Sequence, residues 1–322
     1  MGWSRQLKLL FSLSLVLLLL PINAGFVLAN EKLLIPMGHS IGIKMDLSGV
    51  FVTNDVMLEK DVWLKAGDLI EKVDNVSIQK LEGFEKSVSN THNLQKISMQ
   101  ILRDVEIVQI QSSSEAVKRL LPFLKDRTEG TGTLTYVDPE KGTYGALGHQ
   151  IIDSAFNSPP SFTDGSIYLS KIGQIRKSMP GNPGYKISSI VKDEHILGSI
   201  KKNGVYGIFG TWNKAYKQVL AEPLEIMQPS TVKEGEAEIY TTVKGTEVES
   251  FSIQITNVEK DQFHFTLTDT KLLETTGGIL QGMSGSPVIQ NGKFAGAVTH
   301  MFVDEPEKGA ALFLSTMRTG EQ

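Results

Sequence analysis

The sequence predicts a mainly β protein in two folded units behind an exported N-terminal segment. Three observations carry this. Short runs rich in Val, Ile, Thr, Phe and Tyr recur along the chain, each closed by Gly, Pro or Asn. No long amphipathic helix interrupts them after residue 130. The chain of 322 residues suits one large domain or two ordinary ones, with apolar content sufficient for a core. The expected divisions are 1–30, an export segment; 31–112, a first β-rich unit; 113–129, a linker; and 130–322, a larger β unit.

The first 30 residues are read from their order of charge and apolarity. Arg5 and Lys8 precede the apolar stretch Leu9 to Leu20, then Pro21, Asn23 and Val27-Leu28-Ala29, the layout of a secretory signal. Residues 9–29 are long enough to span a bilayer if left uncut, but Pro21 and Asn23 make a poor permanent span. The expectation is export with cleavage or temporary membrane anchoring. The net charge is −4, or −6 without this segment, which holds two cations and no acid. An acidic balance gives no support to a nucleic-acid partner. The absence of cysteine excludes a thiol nucleophile, a cysteine zinc site and disulfides. No metal-ligand cluster is evident, and Gly207-Ile-Phe-Gly210 lacks the strand-to-helix context of a phosphate loop, so neither metal nor cofactor is expected.

In the first unit, Ser40-Ile-Gly-Ile43 and Gly49-Val-Phe-Val52 read as strands, and Ala66-Gly-Asp-Leu-Ile70 leads into another ending at Val73. Leu81, Phe84 and Val88 share one helical face, and Ile97, Met99 and Ile101 alternate as in a strand. This order resembles a PDZ domain. Ser40, Ile41, Gly42 and Ile43 match the loop that receives a peptide carboxylate, so the resemblance implies a partner's peptide tail added to a sheet edge. Asn75-Val76 replaces the usual Asn-Gly, and Val52 to Leu64 is short for that family.

In the second unit, strands follow one another from Gly132-Thr-Leu-Thr-Tyr-Val137 to Phe294-Ala-Gly-Ala-Val298. Such spacing fits a barrel or sandwich, and the length suits a chymotrypsin-like double β-barrel. Gly282-Met-Ser-Gly-Ser-Pro287 resembles the nucleophile loop of such proteases. Glycines flanking Ser284 allow a sharp turn that exposes its hydroxyl and aims the N–H groups of Gly282 and Ser284 at a nascent oxyanion. Ser286 is a rival, but it precedes Pro287, and its place at the end of the motif disfavours an α/β-hydrolase elbow. A serine needs a base, and His149 ends the strand Tyr144-Gly-Ala-Leu-Gly-His149 upstream of Ser284. His39, His92, His195 and His264 sit in loops, turns or alternating strands. Spacing leaves Asp153, Asp164 and Asp269 open as the acid behind the imidazole.

Gly132 to His149 resembles the His segment of the stage IV sporulation protein B (SpoIVB) peptidases, family S55, and Thr268 to His300 resembles their Ser segment. The resemblance implies His149 as general base, Ser284 as nucleophile and Asp269 as the acidic member. It implies an exported serine endopeptidase of spore formers, acting between forespore and mother-cell membranes. Its protein substrate would be a membrane-bound regulator of an intramembrane protease that activates a late sigma factor, and it would also cleave itself. The chain is shorter than usual for that family, and its tail after His300 diverges. Two other functions stand beside it: a PDZ-based scaffold with an unused protease-like domain, and a general extracytoplasmic quality-control protease. Ala297 to His300 is expected to line the substrate pocket, where His300 either touches substrate or, the favoured reading, is a buried strand residue.

Overall fold

A computed structural model describes residues 33–89, 96–191, 195–217 and 220–321. The expected export segment and His92 lie outside the described residues. In chain order the strands begin with β1 (Leu33–Pro36), β2 (Ser40–Val52), β3 (Val56–Glu59), β4 (Val62–Leu64), β5 (Leu69–Val73), β6 (Val76–Ser77), β7 (Lys96–Arg103) and β8 (Glu106–Ser113). They continue with β9 (Leu124–Asp138), β10 (Thr143–Ala146), β11 (Phe162–Arg176), β12 (Tyr185–Ile190), β13 (Ile196–Gly204), β14 (Gly207–Trp212) and β15 (Leu224–Glu225). The last are β16 (Gly235–Lys244), β17 (Glu247–Val258), β18 (Gln262–Leu267), β19 (Pro287–Gln290), β20 (Lys293–Met301) and β21 (Lys308–Phe313). The helices are α1 (Leu81–Ser89), α2 (Ser114–Lys118), α3 (Thr270–Thr276) and α4 (Leu314–Thr319).

Two antiparallel barrels dominate. The first runs β2-β9-β10-β14-β13-β11 and closes because β2 pairs with both β9 and β11. Its core includes Ile41, Ile43, Leu134, Ala146, Ile167 and Ile208. The second runs β16-β17-β18-β21-β20-β19 around Phe251, Ile253, Phe263, Phe265 and Val288. Closure leaves neither barrel with a free edge. Between them, Leu34 of β1 and Tyr136 and Phe209 of the first barrel pack on Ile289, Phe294 and Ala297 of the second. Leu314 and Met317 of α4 join this seam, and burying each such side chain contributes about 1.5–3 kcal/mol. Beyond Met317, Arg318 reaches back to Asp138 at 3.3 Å, and Tyr136 donates to Glu321. The chain's end is thereby fixed to the first barrel.

A smaller core surrounds Val73, Phe84, Met99, Ile101 and Val117, where α1 and α2 cover the β5-β7-β8 sheet. The expected face of α1 is buried at Phe84 and Val88, and its first N–H, Leu81, donates to Asp126 at 2.9 Å. This core does not begin at residue 31. Strand β2 runs out of the first barrel at Leu47 and enters the smaller sheet at Val50.

The expected peptide-binding loop is therefore corrected. Ile41, Gly42 and Ile43 pair with Gly132, Thr131 and Gly130 on one side and with Leu169, Tyr168 and Ile167 on the other. Ser40, too, is buried and pairs with Thr133. With both flanks of the strand occupied, these four residues offer no edge for a peptide tail. The larger unit likewise starts before residue 130. It takes β2 from the expected first unit, and β9 starts inside the expected linker. Among the described residues, no helix is long and apolar enough to cross a membrane.

Candidate active site

The loop between α3 and β19 is shaped by glycine and by bonds to the first barrel. Gly282 and Gly285 both have φ of 94°. A Cβ on Gly285 would lie 2.2 Å from Thr133 O and 2.5 Å from Leu147 N, so only glycine fits that approach. Thr133 grips the loop twice: its N–H donates to Ser284 O at 3.0 Å and its hydroxyl to Gly282 O at 2.8 Å. Gln281, Met283, Gly285 and Ser286 donate their N–H groups to Gly184, Leu280, Val298 and Met283 carbonyls. Among the described residues, the N–H groups of Gly282 and Ser284 have no such acceptor. Those are the donors an oxyanion hole requires.

Ser284 is half-buried, and its hydroxyl donates to Thr299 O at 3.1 Å. The register of β20 against β21 slips between Val298 and His300, a bulge that turns the Thr299 carbonyl out of the ladder. Ser286 is fully buried and its hydroxyl has no partner, so it is not the exposed nucleophile.

His149 reaches the same place from the first barrel. Leu147 and Gly148 have φ of 74° and 70°, a left-handed pair that turns the chain sharply after β10. A Cβ on Gly148 would meet Thr299 Cγ2 at 3.0 Å and Val298 O at 3.1 Å, so this turn rests on the end of β20. His149 Nδ1 lies 2.9 Å from Gln150 O. A carbonyl only accepts, so Nδ1 carries the proton and the neutral ring leaves Nε2 bare. That is the tautomer of a general base. The His300 ring stands 6.1 Å from that of His149, with its Nδ1 2.8 Å from Thr299 Oγ1. Partial burial and the neighbouring His149 push His300 below the usual histidine range. By surface area the residue as a whole is still exposed on its strand, which departs from the favoured buried reading and leaves contact with substrate open to it.

The family model for SpoIVB peptidase S55 matches residues 117–318. The chain belongs to this family. It is thus a serine peptidase by descent, and the two-barrel fold accords with that. Solved structures to which the chain shows similarity include the active form of the Rv3671c protease from M. tuberculosis. That structure is 14% identical, covering 60% of this chain and 73% of that one, with a TM-score of 0.36. The thermostable serine protease AL20 from an extremophilic microorganism is 12% identical, covering 60% and 89%, with a TM-score of 0.38. No curated protein matches the chain.

In this S55 chain, His149, Ser284, Gly282 and the Thr299–His300 strand end converge, whereas the three candidate acids do not join them by hydrogen bonds. Asp269 caps α3, its Oδ1 accepting Leu272 N–H at 2.8 Å, and it makes no hydrogen bond to His149. Asp153 is buried in an ion pair with Lys125 at 2.7 Å. Burial opposes its charge, but bonds from Lys125, Thr128 and the Ala155 N–H outweigh it and hold its carboxyl below the usual range. Asp164 is exposed on β11.

Sequence reasoning missed Thr133, Gln150 and Lys186. Thr133 sits one residue into the His segment, but only its partner across the barrels reveals its role. Lys186 on β12 donates its backbone N–H to Gln281 O at 3.2 Å and its amine to Thr241 Oγ1 at 2.9 Å. Its side chain lies against Gly282, and burial alone pushes its pKa down to about 7.

Proposed function

We propose that the protein is an exported serine endopeptidase in which Ser284 attacks the scissile carbonyl and His149 takes its proton. The hydroxyl turns from Thr299 O toward His149 Nε2, and Oγ bonds the carbonyl carbon as the proton moves to Nε2. The oxygen becomes an oxyanion facing the N–H groups of Gly282 and Ser284. The imidazolium then protonates the leaving amine, and water releases the acyl group by the reverse sequence.

One observation carries this reading. The loop of Ser284 and the turn of His149 arrive from different barrels, and Thr133, Leu147, Gly148 and Thr299 pack them together. The sporulation setting is part of the same proposal and rests on the resemblance of the two segments to SpoIVB peptidases: a protease of endospore formation, working outside the cytoplasm on a membrane-bound regulator of an intramembrane protease and on itself. Asp269 occupies the family's acidic position. In this geometry its ordering of α3 supports the segment that leads into the nucleophile loop.

The test is a fluorophosphonate probe on the folded full-length chain, followed by peptide mapping. Labelling at Ser284, lost in Ser284→Ala, is expected. A folded sample that takes no label at Ser284 sinks the proposal. For the setting, Ser284→Ala should block late sigma-factor activation in a spore former that depends on this chain.

A further inference from the structure

His149 is held by a residue outside both catalytic segments. Asn203, at the end of β13, makes three hydrogen bonds to the two residues that follow His149. Its Oδ1 accepts Ile151 N–H at 2.8 Å, its Nδ2 donates to Ile151 O at 3.0 Å, and its own carbonyl accepts Gln150 Nε2 at 3.0 Å. The first two close a ring in which a side-chain amide mimics a strand partner. The third ties down the Gln150 side chain. What this fixes is the direction of the Gln150 carbonyl, the group that accepts from His149 Nδ1.

The same β13–β14 hairpin buttresses the turn before His149. Gly207 has φ of 136°, and a Cβ there would lie 2.4 Å from Ala146 O and 3.3 Å from Gly148 N. The hairpin therefore holds the chain on both sides of the histidine, by backbone contact before it and by the Asn203 amide after it. None of the three candidate acids hydrogen-bonds the ring, so the selection of tautomer falls to a backbone carbonyl.

We propose that Asn203 is the positioning residue for His149: it clamps Gln150 and Ile151 so that the Gln150 carbonyl keeps the proton on Nδ1 and leaves Nε2 free for the serine. This rests on the Ser284–His149 reading above. Asn203 does not touch the reacting atoms; it acts through Gln150. Loss of the clamp lets the carbonyl swing, and the ring then populates the other tautomer and other rotamers.

The experiment measures the rate of fluorophosphonate labelling from pH 5 to 9 for the full-length protein, Asn203→Ala and Gln150→Ala. Ser284→Ala is the blank. Asn203→Ala is expected to slow labelling about tenfold to 100-fold, with the midpoint of the pH profile displaced. Gln150→Ala keeps the carbonyl and loses one clamp bond, so it is expected to show a smaller effect in the same direction. An Asn203→Ala protein that melts as the parent does and labels with the parent's rate and pH profile overturns the proposal. In parallel, nitrogen NMR of the His149 ring in Ser284→Ala at the alkaline end of the same pH range should report the Nδ1–H form. Finding Nε2–H there overturns the proposal even if Asn203→Ala fails to fold. The ring measurement needs no reactive serine. Absence of label from the parent protein would therefore refute the serine reading while the tautomer still judged the clamp.

Discussion

The Ser284 loop and the His149 turn meet at one site but are specified in different ways. The loop is encoded locally. Its glycines stand at the two positions with φ of 94°, and the Met283 and Ser286 N–H groups close turns inside it on Leu280 and Met283 carbonyls, while Gly184, Thr133 and Val298 hold it from outside. The turn is encoded from afar. A hairpin about fifty residues downstream in the sequence supplies Asn203 and Gly207, and Leu147 accepts a left-handed conformation that its side chain disfavours. The proposed nucleophile loop can thus be recognised as a motif, whereas the proposed base is placed by the fold. The site should be brittle in the loop through sterics and adjustable in the turn through hydrogen bonding.

The largest effect that would sharpen this contrast is expected at Gly285. Gly285→Ala places a methyl against Thr133 O and Leu147 N and forces a left-handed φ on alanine. A cost of about 3 kcal/mol or more is expected, read as a large drop in the urea midpoint together with loss of Ser284 labelling. A variant that melts like the parent would show that the two barrels separate readily here, and the comparison would fail.

Lys186 comes next, because it lies under the loop from the side of the first barrel. Its folded pKa of about 7 is below that of a free lysine, so between pH 7 and 10.5 the unfolded chain holds a proton that the folded chain lacks. Stability from this group therefore rises with pH across that window, by an amount on the order of 5 kcal/mol at most. Urea midpoints at pH 6.5 and 9.5 should show the rise. Lys186→Met should remove that part of the slope and raise the midpoint at pH 6.5. An unchanged slope would mean that the amine is charged and solvated in the folded protein.

The same division explains what could be read in advance. Ser284 could be proposed because six consecutive residues suggest its geometry, and His149 because it ends a strand upstream of the serine. Ser40 to Ile43 was misread because a short apolar strand with one glycine looks alike in a peptide-binding loop and in a barrel wall. What decides between them is pairing with β9 and β11, which lie far along the chain. The exposure of His300 follows from a register slip that no periodicity announces. Asp269 carried a readable signal that its distance from Ser284 obscured. An aspartate, then Thr270 to Thr276, then Gly277 with φ of 71°, is a helix with its start and stop marked. Asn203 lies among Lys202, Gly204 and Val205 in what reads only as a hairpin end.

A smaller effect is expected where the two regions touch. Thr133→Val removes the hydroxyl bond to Gly282 O but keeps the backbone bond to Ser284 O. A loss of about 1 kcal/mol is expected, since a buried carbonyl is left without that donor. Labelling should slow more than stability falls, because Gly282 is one of the two proposed oxyanion donors. Equal labelling rates in the two proteins would show that the loop holds its shape unaided.

The smallest effect, and the one that separates charge from capping, is expected at Asp269. Asparagine accepts from the Leu272 N–H as well as aspartate does, so Asp269→Asn should change stability by only a few tenths of a kcal/mol. Asp269→Ala loses the cap and should cost about 1 kcal/mol. If the carboxylate serves only through α3, labelling at Ser284 should follow this order, near the parent rate for Asn and lower for Ala. If instead its charge reaches the imidazole once substrate is bound, Asn should be as damaging as Ala while melting like the parent. In that case labelling would fall by several orders of magnitude, as when a triad aspartate is replaced by asparagine. The two substitutions differ in labelling under the first role and match under the second, so a single pair of labelling rates, set beside two melting curves, decides whether the base is backed by a carbonyl alone or by a carbonyl and an acid.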